Sequence, residues 1–140
     1  MTILDTDIVS LLEKRDETVR ARAAAAREAG PVTIAIVTRI ERLRGRFDAV
    51  FKADSAANLL LMQTRLIETE KFLASFVVVP LDSVSGGHFA RLSVNKPTRS
   101  MGRGDLLIAC IALAHNAAVA TRNVKDFRQV PGLKLEDWTK

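Results

Sequence analysis

Asp5, Glu41, Asp105, Asn123 and Asp126 carry oxygen-bearing side chains and stand near the ends of apolar segments spread along the chain. Carboxylates gathered in one crevice repel, and each raises the others' pKa unless a cation sits among them. No histidine or cysteine pattern accompanies them, and an all-oxygen donor set suits a hard ion, Mg²⁺ or Mn²⁺. Such a site activates water and stabilises charge at a phosphoryl centre.

Each of these residues also has a plainer explanation. Asp5 and Asp7 are both suited to cap the helix that follows them. Thr38-x-x-Glu41 fits a capping box, and Asp105 suits the first turn of a helix, where its charge opposes the dipole. Asn123 and Asp126 fit an Asx turn. Only their joint placement at strand ends favours a metal site over four separate local roles.

That placement comes from the pattern of elements. Residues 2–4, 32–37, 76–79 and 117–120 read as strands, and 133–135 as an edge strand. Helical segments separate them: one from Ile8, an alanine-rich one over 16–29, one beginning near Thr38, a long amphipathic one over 55–75, and one over 82–95. Residues 106–114 are apolar all round apart from Cys110, which predicts a buried helix ended by Asn116 in a left-handed turn. Residues 96–104 read as a basic, flexible loop, 123–130 as a short turn or helix, and Trp138 as an anchor for the tail. Strands alternating with helices predict a single domain over 1–140, a three-layer α/β fold with a mainly parallel sheet. Ligands of such folds bind beyond the carboxyl ends of the strands. Asp5, Glu41, Asp105, Asn123 and Asp126 all fall there.

A chain of 140 residues, 48% hydrophobic and 26% charged, has the composition of an ordinary globular domain. Its apolar runs are too short for a membrane span, and its start lacks a secretory layout. The one cysteine, Cys110, excludes an internal disulfide, fits a reducing cytoplasm and reads as a core filler. A net charge of +5 and a pI near 9.9 make a polyanion a plausible partner. His88 and His115 have no companion motif. The arginines at 39, 42, 44 and 46 read as a solvated face that can also meet phosphate, and Gly102-Arg103-Gly104 is too short for a phosphate-binding loop.

Four stretches, ILDTDIVSLL, TRIERLRGR, GDLLIACIALAHNAAVATRNVKDF and GLKLEDW, resemble a PIN domain, and more narrowly the VapC-type toxin ribonucleases of toxin–antitoxin pairs. The resemblance runs over essentially the whole chain. It implies a compact α/β/α nuclease that hydrolyses RNA with Mg²⁺ or Mn²⁺, forms a homodimer and is held inactive by a cognate VapB-type antitoxin. By motif, Asp5 matches the acid ending the first strand, Glu41 the glutamate of the helix after the second, and Asp105 the aspartate opening the buried helix. Asp5 and Asp105 are then the closest metal ligands, and Glu41 helps to hold the water that attacks the phosphodiester in line, leaving a 3′-hydroxyl and a 5′-phosphate. Arg39, Arg42, Arg99 and Arg103 are the candidate phosphate contacts. Asn123 departs from the aspartate common in the family, and the resemblance offers Asp126 of the TRN-x-x-DF form as the compensating acid. Ala35 departs from a family serine, shifting the expected helix cap to Thr38. Two other readings stay open: a non-catalytic RNA-binding or protein-interaction module on a PIN scaffold, in which Asn123 marks a lost site, and a DNA-directed endonuclease of the same metal chemistry.

Overall fold

Neighbouring side chains of the central strands point to opposite faces, and both faces are buried. Ile3, Ala35 and Val119 pack into one apolar cluster, and Leu4, Ile34 and Ala120 into another. That double burial is why these strands read as apolar runs without polar alternation. The computed structural model describes residues 1–140. In chain order the elements are β1 (Thr2–Leu4), α1 (Thr6–Glu13), α2 (Glu17–Ala29), β2 (Val32–Ala35), α3 (Ile36–Lys52), α4 (Ala56–Ala74), β3 (Val78–Val79), α5 (Ser83–Leu92), α6 (Arg103–Ala114), β4 (Ala118–Thr121), α7 (Val124–Phe127) and β5 (Lys134–Asp137).

The five strands form one wholly parallel sheet in the order β3-β2-β1-β4-β5. Ile8, Val9, Val19, Ala23 and Leu73 cover one face from α1, α2 and α4; Leu92, Leu106, Ile108 and Ile111 cover the other from α5 and α6. This is the three-layer α/β arrangement that the strand–helix alternation predicts. Each fully buried leucine or isoleucine contributes about 1.5–3 kcal/mol. Trp138 is buried in the cluster with Leu4 and Ile8, tying down the C-terminal tail. No helix is long and apolar enough to cross a membrane.

The sheet grows in two directions from β1: β2 and β3 add on one side, β4 and β5 on the other. A crevice opens beyond the carboxyl ends where the order reverses. Here it lies between β1 and β4.

Several local expectations change. The second strand ends at Ala35, and α3 starts at Ile36 with Ala35 as an N-cap that makes no side-chain bond. Thr38 therefore lies inside the helix, and the Thr38–Glu41 capping box does not form. The β-branched pair Ile36-Val37 suggests a strand, but burial of Val37 in the core overrides that weak preference. In α1 the cap is Asp5, not Asp7, which sits in the first turn. On α4, Leu59, Leu60 and Ile67 are exposed, and only Thr69 and Leu73 are buried. The third strand shortens to Val78–Val79, and α5 stops at Leu92. The segment 96–104 is pinned rather than loose: Thr98 is fully buried and donates to the Leu92 carbonyl at 2.6 Å.

Two helices end alike. Asn116 (φ 51°) and Arg15 (φ 63°) each take the left-handed conformation just past a helix end. The backbone bonds Ala117 N to Ala112 O and Asp16 N to Leu11 O close the turns. Asparagine tolerates that conformation well; arginine does so less readily.

Candidate active site

The residue after β1 is Asp5. Its N–H continues the sheet by donating to the Ala120 carbonyl at 3.0 Å, which fixes it beside the end of β4. Its Oδ1 accepts from Ile8 N–H at 2.9 Å, the helix-cap bond. Its Oδ2 accepts a short hydrogen bond from the Thr121 hydroxyl. Thr121 in turn accepts from the Asn123 N–H at 2.8 Å, so one hydroxyl couples the ends of β1 and β4. Capping and site placement are thus not rival roles for Asp5; one residue holds both.

Glu41 reaches the same crevice from the second turn of α3. Thr6 Oγ1 donates to its Oε1 at 2.8 Å. Having given its only proton to Glu41, the Thr6 hydroxyl must accept from Thr38 Oγ1, 3.2 Å away. Thr38 is fully buried, so this chain of hydroxyls anchors the carboxylate from beneath.

Asp105 enters from the first turn of α6, where Gly102 caps the helix without a side chain. Asn123 turns its amide towards two acids, with Nδ2 3.3 Å from Asp105 Oδ2 and 2.9 Å from Asp126 Oδ2. A neutral amide with two N–H groups separates carboxylates that would otherwise repel. The structure therefore brings together all five residues singled out by type and position.

Electrostatics bear the mark of that crowding. Burial pushes the Asp5 carboxyl up to about 6; the bonds from Thr121 and Ile8 oppose the rise, and the charges of Asp7 and Asp105 add to it. Burial also raises Asp105, opposed by Asn123 and reinforced by Glu41, Asp126 and Asp7. No lysine or arginine pairs with Asp5 or Asp105; the ion pairs of the chain join Glu13 to Arg42 and Arg46, and Asp7 to Arg122.

The four arginines do not gather there. Arg39 lines a separate groove with Leu43, Glu70 and Phe76; it lies two positions from Glu41, hence on the opposite side of α3. Arg42 pairs with Glu13 and belongs to another cleft. Arg99 is exposed on the turns before α6. Arg103 opens α6 with its guanidinium 4.9 Å from the centre of the Phe89 ring. Sequence reasoning missed Thr6, Thr121 and Asp7 as members of the crevice. The position of Thr121 at the end of a strand flanking β1 was the available signal. Cys110 is fully buried, its thiol pushed up to about 11, as a core filler requires.

A family model described as the PIN domain matches residues 2–133. The chain belongs to the PIN domain family. Among similar proteins, "Ribonuclease VapC1" of Haemophilus influenzae (strain R2866) is 28% identical over 141 residues, covering 99% of this chain and 98% of that one. A "tRNA(fMet)-specific endonuclease VapC" of Shigella flexneri is 26% identical over 140 residues, with 98% and 97% covered. Among solved structures, VapBC-1 from nontypeable Haemophilus influenzae superposes with a TM-score of 0.77 at 26% identity, over 99% of this chain and 98% of that chain. VapBC2 from Rickettsia felis, bound to a DNA fragment from their promoter, gives 0.78 at 23% identity over 98% of each, a likeness of fold.

In this PIN domain Asp5 and Asp105 offer a donor set that fits a hard divalent cation: oxygen only, partly buried, acidic and with no cationic side chain paired to either. No group of three or more histidine, cysteine, aspartate or glutamate side chains is placed to hold a metal ion. Mg²⁺ does not ask for one, since it commonly keeps several waters and takes one or two carboxylates.

Proposed function

We propose that this PIN domain is a Mg²⁺-dependent endoribonuclease, with Mn²⁺ as a substitute, and the toxin of a VapBC-type pair acting in the cytoplasm. The observation that carries the reading is the buried Asp5 beside Asp105 at the β1–β4 crevice, both carboxyls raised and neither paired with a cation. Asp5 and Asp105 would hold the metal, which would supply Lewis-acid activation of water and neutralise charge on the phosphoryl oxygens. Glu41 has Oε1 occupied by Thr6, which leaves Oε2 to accept a hydrogen bond from the attacking water and orient it in line. Asn123 and Asp126 keep Asp105 in place. Relatives named ribonuclease and tRNA-specific endonuclease support RNA as the substrate class.

The neighbours solved as VapBC assemblies support a VapB-type antitoxin as partner. Exposed Leu59, Leu60, Leu61 and Ile67 on α4 offer apolar surface for such a partner or for a second copy in a homodimer. Asn123 is what a non-catalytic module would point to, yet its amide still ties Asp105 to Asp126.

The test is cleavage of labelled structured RNA, and of DNA in parallel, by purified protein with Mg²⁺, Mn²⁺ or excess chelator, with Asp105→Asn as control. Metal-dependent RNA cleavage that vanishes in the variant is expected. Binding of metal without turnover on varied RNAs would instead favour the non-catalytic module, and preference for DNA would reassign the substrate.

A further inference from the structure

Acids at a reaction centre repel the polyanion they cut, so the affinity for RNA must come from cations elsewhere. Five of them line one cleft of about 810 Å³, between the C-terminal end of α1 and the α3–α4 pair. Lys14, Arg15, Arg42, Arg46 and Arg65 outnumber the two carboxylates there, Glu13 and Glu68, by three charges.

The lining differs from an ordinary solvated face. Both oxygens of Glu13 are engaged: Oε2 takes Arg42 and lies 3.8 Å from Arg46, while Oε1 accepts from Thr69 at 2.7 Å. Arg42 Nε is buried with no acceptor, a cost of holding the guanidinium against Glu13. Arg15 joins the lining from the left-handed conformation (φ 63°), where glycine is the easy choice. Only Leu12 and Phe72 are apolar there, too little for a peptide that must bury side chains. Arginine forks match phosphate in two-pronged geometry. The eight residues of α1 run from Thr6, beside Asp5, to Glu13 at the cleft, about 12 Å. Along α3 the adjacent Glu41 and Arg42 serve the two places in turn.

We propose that this cleft binds backbone phosphates of the RNA strand flanking the cleaved bond; the inference rests on the nuclease reading above. The test measures Kd for a labelled RNA hairpin across a salt series, in the Asp105→Asn background so that binding is read without turnover. Lys14→Glu, Arg15→Glu and Arg65→Glu, all exposed positions, are combined; Arg20→Glu, Arg22→Glu and Arg27→Glu on α2, an equal change of charge, serve as the control. The cleft variant should weaken binding by about tenfold or more and lower the salt slope by about one for each phosphate it no longer neutralises. Equal weakening by the control would overturn the proposal, since net charge alone would then explain it. So would unchanged RNA affinity with abolished binding of poly-glutamate, which would assign the cleft to an acidic protein segment. Failure of the nuclease reading is separable: RNA held through the cleft but never cut by the parent protein would sink that reading alone.

Discussion

Gly104 of α6 backs onto the Glu41 carboxylate of α3: a Cβ at position 104 would lie 2.7 Å from Oε2 and 3.0 Å from Cδ. The carboxylate is the mobile end of a long side chain, so it, not the backbone, would yield. Gly104→Ala should therefore break the Thr6–Glu41 bond, costing about 1 kcal/mol, partly offset by the better helix propensity of alanine. Stability should hardly change while cleavage falls by about a hundredfold through misplacement of one group. Melting curves and single-turnover rates check it; full activity would mean Glu41 needs no fixed position.

Asp5 makes a pH-dependent penalty. Its folded carboxyl titrates at about 6 against an ordinary 3.8, so the folded state binds this proton more tightly than the unfolded one. Its stabilising contribution is full below the ordinary value and is lost as pH rises through about 6, amounting to about 3 kcal/mol. Asp5→Asn should abolish cleavage yet make the chelated protein more stable at about pH 7.5, with the gap shrinking towards pH 4. Urea unfolding across pH measures it, and a gap that ignores pH would refute the burial argument.

Metal should reverse that penalty. Ligand carboxylates must be deprotonated to bind, so Mg²⁺ should raise the melting temperature more at about pH 7.5 than at about pH 5. Asp105→Asn should flatten the response at both. An equal rise in the variant would place the cation elsewhere.

Two ion pairs invite a contrast. Arg42 and Glu13 are each 18% exposed, whereas Arg122 and Asp7 are each 53% exposed. Glu13→Ala strands Arg42, Arg46 and Thr69 and should cost about 1–3 kcal/mol, less than a fully buried pair because solvent still screens it. Asp7→Asn should cost less than about 1 kcal/mol. Denaturant midpoints would expose the error if the order were reversed.

The strands, the buried helix and the five crevice residues were legible because each depends on local pattern: apolar runs, a cap, a strand end. What escaped depended on distance. Nothing near Thr121 announces that its hydroxyl will meet Asp5; only the β1–β4 register does so. Arg42 looked like a neighbour of the acids because it follows Glu41, but its partner Glu13 lies 29 positions away. Ile36 and Val37 misled because strand preference and core burial ask for the same residue types.

The Asp5–Thr121 bond joins positions 116 apart, and Asn123 and Asp126 lie later still. A ribosome making this chain therefore exposes Asp5 and Glu41 early, and Thr121, Asn123 and Asp126 much later. Until the fourth strand has left the exit tunnel there is no β4 edge to hold Asp5, no amide beside Asp105 and no assembled pocket for a cation. The crevice is unformed by construction until the segment carrying Thr121, Asn123 and Asp126 has emerged and paired with the first strand.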